Sequence, residues 1–362
     1  MPRRPIVVIF PLLGIVLFAG IFSIVNRITS EETNDLIVTT DRAASNPPIE
    51  NQPQTNQLEL QTQPFQELTI PYLRTLDYTS ELRSLKRFEE KPSYTSYVTS
   101  YLSDGLQINA LLTLPKGEAP ENGWPAVVFV HGYIPPDSYR TTERYVAYVD
   151  YLAQQGMVVF KIDLRGHGES EGEANGAYYS SEYVRDVLFA YSALENYELV
   201  DKTKIGLWGH SMAGNVILRA IAVQPTIPTA VIWAGAVYSY EDWKTYGLSD
   251  HSFRLTDLQR SDRLNKRKEL FDTHGEFDPT NQFWQTVVPT NYLAEVTTAI
   301  QLHHATDDAV VSIGYSKDLV PLLEKAGIKH EFYEYKTGGH NITGGSFSQA
   351  MARSVEWFNQ EK

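Results

Sequence analysis

Lys204-Ile-Gly-Leu-Trp-Gly-His-Ser-Met-Ala-Gly-Asn-Val216 reads as an apolar strand that turns sharply into a helix, with Ser211 at the corner. Such a corner strains the Ser backbone. Residues two positions away on either side must then be small, or they collide with the adjoining strand and helix. Gly209 and Ala213 meet that need, with Ala where a second Gly is usual, and Gly214 relieves crowding further. The spacing predicts a nucleophile elbow. A plain helix N-cap Ser is the alternative for this stretch alone.

Working outward, apolar runs alternate with amphipathic stretches. Strands are expected at Ser96 to Ser103 and Ile108 to Leu114, joined at Asp104-Gly105, a hairpin signal. Further strands are expected at Ala126 to Val130, Met157 to Ile162, Ile205 to Trp208, Ala230 to Val237, Ile300 to His304 and Glu331 to Tyr335. Between and after them lie expected helices at Thr141 to Gln154, Ser181 to Tyr197, Asn215 to Gln224, Ser316 to Ala326 and Phe347 to Asn359. Continuous apolar strands alternating with such helices imply an α/β fold, a mostly parallel sheet covered on both faces. Trp243 to about Trp284 breaks the rhythm. It is aromatic and basic, with Arg254, Arg260, Arg263, Lys266, Arg267 and Lys268, and reads either as a small cap insertion (about 243–284) or as a plain surface insertion.

The chain has 362 residues, no Cys and a net charge of −13. Disulfide frameworks, a Cys nucleophile and Cys-ligated zinc are excluded. The acidic balance argues against nucleic acid as a partner. Residues 1–29 form a basic start, with Arg3 and Arg4, and an uncharged apolar run from Ile6 to Val25 closed by Arg27. Twenty helical residues reach about 30 Å, a bilayer core. The expected reading is a transmembrane helix with the N-terminus cytoplasmic and the body extracytoplasmic. A cleaved signal peptide and a secreted protein are the alternative. Residues 30–67, rich in Asn, Gln, Pro and Thr, read as a disordered tether. Residues 68–362 are the expected catalytic body.

A Ser hydroxyl needs a base, an orienter for that base, and donors for a developing oxyanion. His340 follows a strand in a Gly-Gly loop, and Asp307 and Asp308 follow another strand. The order Ser211, Asp307, His340 suits a triad built at strand ends. Asp307, three residues before Val310, is the expected orienter, and Asp308 the alternative. His303 and His304 are expected to be packed or hydrogen-bonded, and His210 to point away from the base position. The oxyanion hole is expected from the backbone N–H groups of Met212 and Tyr133, with Ile134 as the fallback. No metal or organic cofactor is required.

At these residues the sequence resembles the α/β-hydrolases of the prolyl oligopeptidase (serine peptidase S9) catalytic-domain type and their small bacterial relatives. The matching pieces are Ser103-Asp-Gly105, Pro125-Ala-Val-Val-Phe-Val-His-Gly132, Asp163-Leu-Arg-Gly-His-Gly168, Gly206-Leu-Trp-Gly-His-Ser-Met-Ala-Gly214, Asp307-Asp-Ala-Val310 and Gly339-His340. They span Tyr94 to Trp357. The family pattern also favours Asp307. The resemblance implies a serine hydrolase acting on small acyl or peptide substrates, as peptidase or carboxylesterase. No β-propeller is expected ahead of the body. Where the peptidases can hold a substrate-contacting Arg, Ala309 stands here, so post-proline specificity is not implied. A non-catalytic surface binding module is the remaining alternative.

Overall fold

The computed structural model describes residues 63–249 and 257–360. The expected membrane segment (1–29) and most of the expected tether lie outside the described residues, as does His251. Among the described residues no helix is long and apolar enough to cross a membrane.

Among the described residues nine strands form one sheet. They are β1 (Lys86–Glu90), β2 (Tyr94–Ser103), β3 (Leu106–Pro115), β4 (Trp124–Val130), β5 (Val158–Ile162), β6 (Val200–His210), β7 (Thr229–Trp233), β8 (Ala299–Ala305) and β9 (His330–Tyr335), in the order β1-β2-β3-β5-β4-β6-β7-β8-β9. The first four strands of that order pair antiparallel, and all later neighbours pair parallel. The Asp104-Gly105 hairpin aligns β2 with β3 from Ser103↔Leu106 to Tyr94↔Pro115. Exposed and charged, β1 has no apolar alternation to announce it.

Besides a single α-helical turn at Ile70–Leu73 and short 3₁₀ segments, the described helices are α1 (Val146–Gln154), α2 (Glu182–Glu195), α3 (Ala213–Val223), α4 (Tyr240–Tyr246), α5 (Asp257–His274), α6 (Gln282–Val287), α7 (Gly314–Ala326) and α8 (Gly345–Gln360). The helix α1 starts five residues later than its periodicity predicts, because Tyr145 takes a left-handed φ of 57° at its N-cap. The central helix α3 is buried along its whole length, as expected of an element under the sheet's parallel centre. On the sheet's other face Trp208 stacks on Phe129 at 4.1 Å between ring centroids, and Trp233 and Trp357 are also buried there. Burying such side chains contributes about 1.5–3 kcal/mol each.

Two motif pieces of the resemblance prove to be braces. Buried Arg165 bridges Asp186 on α2 at 2.6 Å and Asp104 at 2.7 Å, and Ser103 Oγ donates to Asp186 at 2.7 Å. A buried charge is tolerable only when paired and hydrogen-bonded in this way. The end of the stretch read as tether is also packed. Phe65 leans on the core, Leu68 is buried in it, and buried Arg219 of α3 donates to the Leu68 carbonyl at 2.8 Å.

The aromatic insertion after β7 joins the main core, which takes in its Leu270, Phe277, Phe283 and Trp284. Trp243, Phe271 and Tyr179 surround the Arg267 guanidinium at 5.7, 4.9 and 4.8 Å, a set of cation–π contacts. A cavity of about 510 Å³ lies beside them, lined among others by Tyr178, Tyr179, Trp243 and Arg267.

Candidate active site

Because β4 and β6 are neighbours, with Val130 paired to Gly209, the loops after them leave the sheet side by side. Strand order reverses at this point, where open α/β sheets place their ligands. After β6 the chain turns at Ser211 with a φ of 59°, a strained left-handed backbone for a residue with a Cβ. The Ser211 N–H donates to the Trp233 carbonyl at 2.9 Å and its carbonyl accepts from Gly214 N–H at 2.9 Å. The small neighbours behave as the sequence predicts. A Cβ on Gly209 would meet Ile217 at 2.5 Å and Ala213 at 2.8 Å, and one on Gly214 would meet Gly235 Cα at 2.7 Å.

The base arrives from farther away. Three strand spacings, about 14 Å, separate β6 from β9. The loop after β9 spans them with Gly338 and Gly339 at φ 134° and 58°, conformations open to glycine. His340 then lies with Nε2 2.9 Å from Ser211 Oγ.

The carboxylate that meets His340 is that of Asp308 and not, as expected, that of Asp307. Asp308 Oδ2 stands 2.8 Å from His340 Nδ1, and its side chain is fully buried. Asp308 Oδ1 accepts from the Val310 and Val311 N–H groups at 2.8 and 3.0 Å. With Oδ1 so occupied, Oδ2 receives Nδ1–H, which leaves Nε2 as the acceptor for the Ser hydroxyl. Burial opposes the charge on Asp308. Hydrogen bonds from His304 and His340, the charge of His340 and the Val311 N–H outweigh it and hold the carboxyl well below the usual range. Asp307 is exposed and turns the other way, accepting from Gly338 and Gly339 N–H at 3.2 and 2.8 Å. It braces the loop that carries His340. The turn after β8 decides between the two: Asp308 N–H bonds back to the Ala305 carbonyl, and that turn aims the second acid inward.

Two further residues tie the site together. His304 is fully buried, with Nδ1 2.8 Å from Ser316 Oγ and Nε2 3.0 Å from the Val311 carbonyl and 3.3 Å from Asp308 Oδ2. It is hydrogen-bonded, as expected, and its partner includes the orienting carboxylate. His210 points away from the base position but is not idle. Gly132 N–H donates to Tyr145 Oη at 3.0 Å, Tyr145 Oη–H reaches His210 Nδ1 at 2.8 Å, and His210 Nε2–H reaches the His340 carbonyl at 2.8 Å. This relay joins the loop after β4 to the loop bearing the base. Burial drives the His210 pKa down to about 3, so its ring is neutral. Tyr145 gave no sequence signal, since its role depends on a left-handed backbone at a helix start.

A cavity of about 780 Å³ opens over Ser211 and His340. Its walls include Tyr133, Ile134, Arg144, Tyr148 and Val310. Tyr133 and Ile134 thus stand where the oxyanion loop is expected, and Met212 follows Ser211 at the start of α3. Counted from Asp308, the position two residues on is Val310, a wall residue, rather than Ala309. No described residue of the 243–284 insertion lines this cavity, because its aromatic side chains bury against one another and Tyr240.

A family model described as Serine aminopeptidase, S33 matches residues 124–345, more than half of the chain. The chain belongs to that family. The relatives by sequence include named peptidases, and the solved structures of the same fold include an esterase. The Uncharacterized peptidase YtmA of Bacillus subtilis (strain 168) is 25% identical over 72% of this chain and 92% of its own length. Dipeptidyl aminopeptidase A of Saccharomyces cerevisiae is 24% identical over 56% of this chain but only 24% of its own. Among solved structures, an acetyl xylan esterase from Paenibacillus sp. R4 aligns with TM-score 0.57 at 18% identity, covering 86% of this chain and 96% of the esterase. Dipeptidyl peptidase 4 of Porphyromonas gingivalis aligns with TM-score 0.55 at 19% identity, covering 75% of this chain and 36% of the peptidase. At such identities these alignments support the fold, the α/β-hydrolase fold expected from the sequence.

Proposed function

We propose that the chain hydrolyses an acyl bond through Ser211, His340 and Asp308. The observation that carries this reading is the continuous relay from Ser211 Oγ to His340 (2.9 Å) and from His340 to Asp308 (2.8 Å), both within hydrogen-bond reach for proton transfer. Ser211 attacks the acyl carbonyl, His340 Nε2 takes its proton, and the carbonyl π electrons move onto the oxygen. The Met212 and Tyr133 N–H groups hold that oxyanion, each worth about 3 kcal/mol in the transition state. His340 then protonates the leaving group and the acyl-enzyme forms. Water, deprotonated by His340, attacks the ester, and Ser211 leaves with the proton. Asp308 keeps Nδ1 protonated and stabilises the imidazolium.

The leaving group is an amine in a peptidase reading and an alcohol in a carboxylesterase reading. The family description and the name of the Bacillus relative support the first. The second is favoured by the cavity: none of its described wall residues is Asp or Glu, so no wall carboxylate is in place for the terminal ammonium of an aminopeptidase substrate. The test is fluorophosphonate labelling of Ser211, followed by comparison of 4-nitrophenyl acetate with aminoacyl 4-nitroanilides. A folded protein that takes no label and cleaves neither class refutes the proposal. An N-terminal membrane anchor with the body extracytoplasmic belongs to the same proposal, supported by the charge-free run Ile6 to Val25 after Arg3 and Arg4. Release of the full-length chain from membranes by alkaline carbonate refutes that part.

A further inference from the structure

Arg144 is the one fixed cation among the described walls of the cavity over Ser211. No described ion pair engages its guanidinium, although carboxylates outnumber cations in this chain and its net charge is −13. Some surface cations find acids, Arg74 with Glu295, Lys116 with Glu90 and Lys317 with Glu334, whereas Arg140 and Arg353 donate to neutral oxygens instead. The neighbouring Glu143 is not among the walls. The backbone that presents Arg144 is pinned. Its carbonyl accepts from the buried Lys161 ammonium at 3.1 Å, and the next residue, Tyr145, is fixed by Gly132 and His210. The remaining walls are aromatic, aliphatic or neutral polar, including Tyr133, Ile134, Tyr148 and Val310. A cavity with one exposed cation on its wall and no fixed charge among its other described walls favours a ligand of opposite charge at that end.

Resting on the acyl-hydrolase reading above, we propose that the substrate carries a carboxylate, and that Arg144 binds it while Ser211 attacks an ester or amide carbonyl elsewhere on the same molecule. A guanidinium offers a planar fork that matches a carboxylate with two parallel hydrogen bonds. The same charge opposes the ammonium end that an aminopeptidase would hold. Arg144 is therefore a specificity residue, and it separates this cavity from the activity in its family's description.

The test uses the full chain and two pairs of chromogenic or chromatographically resolved esters. One pair varies the acyl side: mono-4-nitrophenyl adipate against its terminal methyl ester. The other varies the leaving side: 4-acetoxybenzoate against 4-acetoxybenzamide. In at least one pair kcat/KM favours the anionic member by about two- to fivefold, a range suited to an exposed ion pair. The ratio falls toward unity in Arg144→Ala, is partly kept in Arg144→Lys, and inverts in Arg144→Glu. It also shrinks as salt rises from 0.05 to about 0.5 M, since solvent-exposed charges are screened. Equal ratios in wild type and all three variants, with the neutral esters turned over, overturn the proposal and leave the hydrolase reading standing. Failure to turn over any ester, together with failure of Ser211 to take a fluorophosphonate, removes both.

Discussion

Replacing each of the adjacent acids by its amide separates their roles sharply. In Asp308→Asn the amide oxygen keeps the bonds from Val310 and Val311 N–H. The amide NH₂ then occupies the position of Oδ2, 2.8 Å from His340 Nδ1. A donor there forces Nδ1 to accept, so the ring proton moves to Nε2, the atom 2.9 Å from Ser211 Oγ. An imidazole in that tautomer cannot receive the Ser proton. The expected loss in kcat is about 10⁴, or about 5.5 kcal/mol in the barrier. Asp307→Asn removes a charge from an exposed position but leaves an oxygen able to accept from Gly339 N–H. Its bonds contribute about 0.5–1.5 kcal/mol each, so the loss stays within about tenfold. Steady-state hydrolysis of 4-nitrophenyl acetate, normalised by fluorophosphonate titration and with folding checked by circular dichroism, measures both. Comparable losses in the two variants, or a larger loss in Asp307→Asn, refute the assignment of the orienter.

Ser211→Ala and His340→Ala each lower kcat by about 10⁴ or more, and the double variant is hardly worse, because the three groups act as a unit; multiplicative losses argue against a shared relay. Tyr145→Phe strands the Gly132 N–H and the His210 Nδ1, both bonded to its hydroxyl, and lowers stability to urea by about 1–3 kcal/mol, with no change as the contrary outcome. Burial pushes the pKa values of His210 and His303 down to about 3. The unfolded chain protonates both near pH 6.5, so it binds more protons than the native state between about pH 6.5 and 3. Stability is therefore intact above that window and falls on acidification, by about 1.4 kcal/mol per pH unit for each ring. Urea midpoints that do not drop from pH 7 to 4.5 contradict this. Gly214→Ala drives a methyl toward Gly235 Cα at 2.7 Å and lowers the melting temperature by several degrees, as overpacking does.

The elbow and the strands around it were readable because their cause is local. A Ser between small residues at the end of an apolar run has few other uses, and period alone separates strands from helices. His340 was readable from the Gly-Gly loop after β9, which the reach across β7 and β8 requires. The choice between Asp307 and Asp308 was not, because both follow the same strand and only the turn closed by Asp308 N–H onto Ala305 decides which carboxyl faces inward. The strand β1 lacks a buried face, so no alternation betrays it. Tyr145 is placed by a backbone reversal whose φ of 57° no propensity announces. The described residues of the insertion after β7 line none of the cavity over Ser211, although Ser249 N–H donates to the carbonyl of its wall residue Val310. The insertion's rings satisfy one another, and composition does not say where a hydrophobic cluster will settle.

The hydrogen-bonded path from Gly132 through Tyr145 and His210 to the His340 carbonyl has a consequence for engineering. The residue just ahead of the nucleophile works as a rivet between two loops whose sequences lie far apart. A designer who grafts the segment around His340 onto a sister scaffold, or shuffles the segment after β4 between homologues, moves half of a joint. Chimeras should take the Tyr145 and His210 side chains from one parent, since losing either leaves the Gly132 N–H or the His340 carbonyl, both backbone groups, without its partner.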